Sequence, residues 1–231
     1  MLPATDTLSE GLAALGLPAT GALCDRLTAY VAAIEAWNPA YGLVGASGRE
    51  LVVKHILDSL APLALIRAAL ADIAASRGHR SAFGLPPPRL GLADLGTGAG
   101  LPGIPLALAL PELDVALIDR MGKRVRFLEN QKAALGLDSV TIVESQVERA
   151  TGLYDLVTFR AFRPFEPTLF RHVFRLCAGD GRVLAYKGRL ERARGELGAL
   201  DGLYSEARVE PVTVPFLEDE RCVVIMRPAG T

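Results

Sequence analysis

An apolar run, Leu90-Gly-Leu-Ala-Asp94-Leu, ends in an acid and breaks into Gly96-Thr-Gly98-Ala-Gly100-Leu101-Pro-Gly103. Glycines remove the Cβ where a ligand would approach the main chain, and the helix-compatible Ile104–Leu110 follows at once. Strand, glycine turn and helix start make a corner suited to a nucleotide-type ligand. Asp94 precedes the first glycine by two residues, which puts its carboxylate at the carboxyl end of the strand, where open α/β sheets hold their ligands. An acid there suits a cation. A second acid, Asp119, closes the next strand candidate, Val115–Asp119, about twenty residues further on, where a carboxylate holds ribose hydroxyls.

The glycine spacing alone leaves several readings open. Gly98-Ala-Gly100-Leu-Pro-Gly103 satisfies the GxGxxG expression of nicotinamide-dinucleotide domains, and a glycine turn without a ligand is the plain structural alternative. Asp-x-Gly-x-Gly-x-Gly, with the acid inside the strand, is the form seen in S-adenosylmethionine-dependent methyltransferases, where the acid accepts from the ammonium of the methionine moiety. That reading is preferred; a methyltransferase of small molecules or proteins and a nicotinamide-binding oxidoreductase remain the alternatives.

The elements that must position these residues are legible in outline. Residues 1–76 read as a helical region packed on the core, with Leu23, Leu27, Tyr30, Val31, Ile34 and Trp37 drawing one apolar stripe that Asn38-Pro39 is expected to stop. A second helical run starts near Glu50 and is kinked or divided by Pro62; its His55 reads as a satisfied, half-buried histidine rather than a ligand contact. Residues 77–89, with Gly78, Gly84 and Pro86-Pro87-Pro88, read as a linker into a Rossmann-like domain over 90–231. From there strand and helix patterns alternate, predicting a mostly parallel sheet. Ala207–Val214 and Cys222–Met226 follow with no helix between them, an ending typical of class I methyltransferases. The expected fold is therefore a class I S-adenosylmethionine-dependent methyltransferase: α/β, Rossmann-like, with a seven-stranded sheet whose last strand is antiparallel.

Composition bounds the rest. At 231 residues, 50% hydrophobic and a net charge of −1, the chain can bury one large core and has no global field to attract phosphates. Cys24, Cys177 and Cys222 lack metal-ligand spacing and do not cluster with His55, His79 and His172, so no metal or disulfide is expected. The sequence shows no leader and no apolar run long enough for a membrane span, so the expected place is the reduced cytoplasm. Local basic groups are more informative: Arg120, Lys123, Arg124 and Arg126 on one helix, Arg160 and Arg163 after a strand, and Lys187, Arg189, Arg192 and Arg194 after another. They could rim the crevice and hold RNA phosphates, or form solvated faces with partners such as Glu196 four residues from Arg192.

Longer motifs run in order along nearly the whole chain: Trp37-Asn-Pro-Ala-Tyr41, Lys54-His-Ile-Leu-Asp-Ser59, Asp94-Leu-Gly-Thr-Gly-Ala-Gly-Leu-Pro-Gly-Ile-Pro105, Gly122-Lys-Arg-Val-Arg-Phe-Leu128, Arg160-Ala-Phe162 and Lys187-Gly188. Together they resemble the bacterial glucose-inhibited-division-B family, 16S ribosomal RNA guanine-N7 methyltransferases. The resemblance implies S-adenosylmethionine as cofactor and 16S ribosomal RNA as partner, within the small ribosomal subunit or an assembly intermediate. It also implies roles: Gly96, Gly98 and Leu101 at the methionine and sulfonium end, Asp119 on the ribose, Val147 and Glu148 on the adenine, and Arg160 beside the donor. For Arg160 a salt bridge to a nearby acid is the structural alternative. Three positions depart from the family's usual pattern: Gly42, commonly asparagine; Gln146, commonly arginine; and Phe159, commonly a small residue. No catalytic acid or base is expected, because guanine N7 carries an in-plane lone pair and no proton. Neither Cys177 nor Cys222 has the setting of a nucleophile for cytosine methylation.

Overall fold

Short apolar runs alternate with amphipathic ones from residue 91 onward, and they form the strands and covering helices of one sheet. The computed structural model describes residues 4–77, 89–160 and 164–229. Most of the expected linker, together with His79, Ala161, Phe162 and Arg163, lies outside the described residues.

Four helices and a π-helical segment come first: α1 (Ala4–Ala14), α2 (Ala22–Tyr41), α3 (Gly48–Leu51), the π segment Val52–Leu57, and α4 (Asp58–Leu60). Pro62 then divides the run, and α5 (Leu63–Ser76) follows. The sequence expects α2 to stop at Asn38-Pro39, but it continues to Tyr41 with Pro39 inside it. Proline in a last turn removes one hydrogen bond without ending the helix. The stop is Gly42, at φ 57° and ψ 51°, whose N–H bonds the Asn38 carbonyl. Glycine and asparagine both tolerate this left-handed conformation, so Gly42 meets the same backbone demand as the asparagine expected from the resemblance. Asn38 fixes the exit instead: its side chain accepts from Leu43 N and Val44 N and donates to the Val44 carbonyl.

The sheet comprises β1 (Gly91–Leu95), β2 (Asp114–Asp119), β3 (Val140–Glu144), β4 (Tyr154–Arg160), β5 (Cys177–Lys187), β6 (Tyr204–Val212) and β7 (Arg221–Pro228), in the order β3-β2-β1-β4-β5-β7-β6. β1 to β5 are parallel, and β7 runs antiparallel between β5 and β6. The crossover helices are α6 (Gly103–Ala109), α7 (Gly122–Ala134), α8 (Pro167–Arg175) and α9 (Leu190–Gly198).

Alternation along the strands sends side chains to two cores. Leu92, Leu117, Leu156 and Leu184 pack with α6, α7 and the N-terminal helices, whose Leu27, Tyr30, Ile34 and Ile56 are fully buried. Ala93, Leu95, Val157 and Phe159 face α8 and α9 on the other side. Each large apolar side chain so buried contributes roughly 1.5–3 kcal/mol. The N-terminal helices therefore share one continuous core with the sheet. They also reach its ligand end: Tyr30 donates to the Ala99 carbonyl in the glycine turn at 2.6 Å, and Tyr186 of β5 donates to the Ser59 carbonyl at 2.9 Å.

Candidate functional site

The glycine corner is built around Asp94. Its Oδ2 accepts from Thr97 Oγ1 at 2.5 Å and from Gly103 N at 2.8 Å, tying the start of α6 to the end of β1. A Cβ at Gly103 would overlap both Leu117 and the Asp94 carboxylate, so helix and strand can meet this closely only through glycine. Oδ1 of Asp94 is buried and has no hydrogen-bond partner among the described residues. Burial pushes the carboxyl up to about 7, against the opposing pull of Thr97, Gly103 and the more distant Arg160. A buried acid with one orphaned oxygen at a glycine corner fits a cationic group such as the ammonium of S-adenosylmethionine.

Gly98 meets the ligand side differently. It adopts φ +62°, and a Cβ there would find no protein atom nearer than the Gly96 carbonyl at 3.9 Å. Its N–H donates to Asp119 Oδ2 at 2.9 Å, while Asp119 Oδ1 accepts from Met121 N at 2.9 Å. Asp119 thus pins the turn after β1 to the end of β2 and holds Arg124 Nη1 at 3.4 Å. A cleft of about 310 Å³ opens above it, lined by Gly96, Asp119, Arg120, Arg124, Gln146, Val147, Glu148 and Leu169.

Arg160, at the end of β4, belongs to a second and larger cavity of about 790 Å³. Its Nη1 donates to the Lys54 carbonyl at 2.9 Å and to Asp58 Oδ2 at 3.0 Å, and its Nη2 bonds His55 Nδ1 at 2.7 Å. Asp58 also holds Arg221 of β7 at 3.2 Å, so one buried carboxylate joins α4 to two strands. The widened π segment presents the Lys54 carbonyl and the His55 ring to Arg160 together. Burial, then the neighbouring Arg160, lowers His55 to about 4, so its imidazole is neutral.

The structure brings Gly96, Asp119, Val147 and Glu148 around one cleft, with Gly98 joined through Asp119. Leu101 sits apart: its side chain is buried and its N–H bonds the Thr97 carbonyl, so only its carbonyl is left to offer a ligand. The salt bridge weighed for Arg160 is present. Of the basic groups, Arg120 and Arg124 line the smaller cleft while Lys187, Arg189 and Arg192 line the larger. Lys187 and Arg192 share Glu196 at 2.5 and 3.0 Å. Sequence reasoning missed the Arg160–His55–Asp58–Arg221 network, although the adjacency of Lys54, His55 and Asp58 in one motif was its signal. Burial pushes the Cys177 thiol up to about 12 and also raises Cys222, which suits neither for nucleophilic work. Gln146 is exposed at the cleft rim, and Phe159 is buried edge-on against Phe170 at 5.8 Å.

A seven-stranded sheet with a reversed β7, an acid-glycine corner ending β1 and a second acid ending β2 defines a class I S-adenosylmethionine-dependent methyltransferase. The fold is shared with TrmN from Thermus thermophilus (TM-score 0.54, 17% identity, covering 77% of this chain and 53% of that one). It is shared equally with the tRNA methyltransferase TrmI from Aquifex aeolicus (TM-score 0.51, 11% identity, 62% and 63% covered). The model of the rRNA small subunit methyltransferase G family matches residues 84–224. Ribosomal RNA small subunit methyltransferase G from Acidovorax sp. is 34% identical over 225 residues, covering 96% of this chain and 95% of its own. Its namesake from Klebsiella pneumoniae is 36% identical over 227 residues, covering 97% and 98%. This chain belongs to the rRNA small subunit methyltransferase G family.

Proposed function

We propose that the chain transfers the methyl group of S-adenosylmethionine to N7 of a guanine in 16S ribosomal RNA. The observation that carries the cofactor is the buried, unpartnered Oδ1 of Asp94 beneath a glycine turn. Asp94 would receive the ammonium, with Gly96, Gly98 and the Leu101 carbonyl along the methionine chain. Asp119 would accept from the ribose hydroxyls. The backbone N–H groups of Val147 and Glu148, which make no hydrogen bond among the described residues, would meet the adenine edge. Arg160, held by Asp58, lines the larger cavity.

When bound, the cofactor supplies an electrophilic methyl group on a sulfonium. The chain's task is then to bring guanine N7 in line and keep water out, because that nitrogen has no proton for a residue to remove. No residue acts as acid or base. The substrate is expected in the cytoplasm, as the small ribosomal subunit or an assembly intermediate.

Mass analysis of ribosomal RNA nucleosides from a deletion strain tests this reading. Loss of one 7-methylguanosine from 16S RNA, restored by the wild-type chain, is the expected result; unchanged 7-methylguanosine would overturn it. Calorimetry with S-adenosylmethionine and NAD checks the cofactor separately.

A further inference from the structure

The larger cavity begins where the glycine corner ends. Parallel pairing sets Asp94 beside Thr158, so Gly96, just past the end of β1, and Arg160, the last residue of β4, lie at the same end of the sheet. Arg160 lines a cavity of about 790 Å³ with His55, Tyr186 and Lys187, so this space reaches the strand end that neighbours the corner. That is room for a nucleotide base beside the donor.

His55 is a side chain in that wall whose tautomer is fixed by its neighbour. A guanidinium can only donate, so the 2.7 Å approach of Arg160 makes His55 Nδ1 the acceptor. The neutral ring therefore carries its proton on Nε2. His55 lines the cavity, and its Nε2–H makes no hydrogen bond among the described residues. Asp58 holds Arg160 through the other terminal nitrogen, Nη1, so the tautomer is set by a network rather than by one bond.

We propose that His55 reads O6 of the target guanine through its Nε2–H and so selects guanine over adenine at the edge that is methylated. The inference rests on the guanine-N7 reading above. On that edge guanine offers two acceptors, N7 and O6, whereas adenine offers N7 and an amino donor. A fixed N–H next to N7 bonds guanine and meets adenine donor to donor. The neutrality of the ring matters too. Methylation leaves positive charge on the base, which a lysine at this position would oppose and a neutral imidazole does not. His55 would touch the substrate, while Arg160 and Asp58 act through it as positioning residues.

The test uses the full chain, S-adenosylmethionine, and small ribosomal subunits reconstituted from unmodified RNA. The target nucleotide is guanosine or the 2-aminopurine riboside, which keeps N7 and lacks O6. Wild-type kcat/KM should fall about 10-fold for 2-aminopurine, the scale of one missing hydrogen bond. In His55→Phe the guanosine rate should fall and the two substrates converge, with S-adenosylmethionine affinity close to wild type. His55→Gln, which keeps an N–H, should recover part of the preference. Equal wild-type rates on the two bases would overturn the inference, and so would a His55→Phe protein that lowers both by one factor. If His55→Phe fails to fold, the wild-type comparison and His55→Gln still decide. A wild-type chain that methylates no guanine N7 would overturn the function reading itself, a result distinct from lost discrimination.

Discussion

Asp94 has the least comfortable environment in the corner, and that discomfort has measurable consequences. Burial raises its carboxyl from 3.8 to about 7, so below pH 7 the folded apo protein favours the protonated acid. The stability tied to that proton is fully present below the unfolded value and is lost as pH rises through about 7, a loss of roughly 2–4 kcal/mol. The apo melting temperature should decline across that window, and Asp94→Asn should flatten the decline. Binding a cationic ammonium reverses the preference. Calorimetry in buffers of different ionisation enthalpy should therefore detect proton release on S-adenosylmethionine binding below pH 7, shrinking as pH rises past that value. Proton uptake instead would remove Asp94 from the ammonium. Gly98→Val makes a complementary case, because a Cβ at this position meets nearly empty space on the protein side. The variant should fold, with about 1–3 kcal/mol of strain from its positive φ, and bind no measurable cofactor; normal affinity in calorimetry would exclude the turn from the site. Both residues were legible from sequence because strand, acid and glycines are contiguous there. The orphaned Oδ1 was not, since it depends on Gly103 and Thr97 closing over the other oxygen.

Among the elements, the π segment Val52–Leu57 was the least legible and the most consequential. Apolar periodicity predicts a helix there, and a helix forms, but one widened turn cannot be read from spacing three and four alone. Its effect is to bring Lys54, His55 and Asp58 onto the end of β4, more than a hundred residues away in sequence. The same limit explains α2, whose stop depends on the conformation of Gly42 rather than on Pro39. By contrast β1 and β2 lie within a residue of their expected bounds, because their apolar runs are flanked by unambiguous breakers. Asp58 measures how firmly the helical region is attached. Asp58→Ala leaves Arg160 and Arg221 without their shared carboxylate, a loss of about 3–5 kcal/mol for a buried ion pair broken on one side. Thermal unfolding should show a large drop in melting temperature. An unchanged value would mean that the apolar core alone fixes the helices on the sheet.

At the scale of the whole molecule, a net charge of −1 supplies no long-range attraction to RNA, so any hold on the phosphates must come from local arrays. The array expected on one helix looked uniform in sequence, but the structure divides it: Arg120 lies before α7, which begins at Gly122. Arg124 leans on Asp119 and lines the smaller cleft, proposed to hold the cofactor, whereas Lys123 and Arg126 are exposed. A variant that removes Arg124 would mix cofactor and RNA effects, so the informative pair is Lys123 and Arg126. Replacing both with alanine should leave S-adenosylmethionine affinity nearly unchanged while RNA affinity falls. The slope of log affinity against log salt should shrink by roughly one for each phosphate that the variant no longer neutralises. If these side chains only solvate the helix, the salt slope will match wild type. A wild-type slope with unchanged RNA affinity would move the RNA face to the rim of the larger cavity. There Arg189 remains outside the Glu196 pairing that engages Lys187 and Arg192.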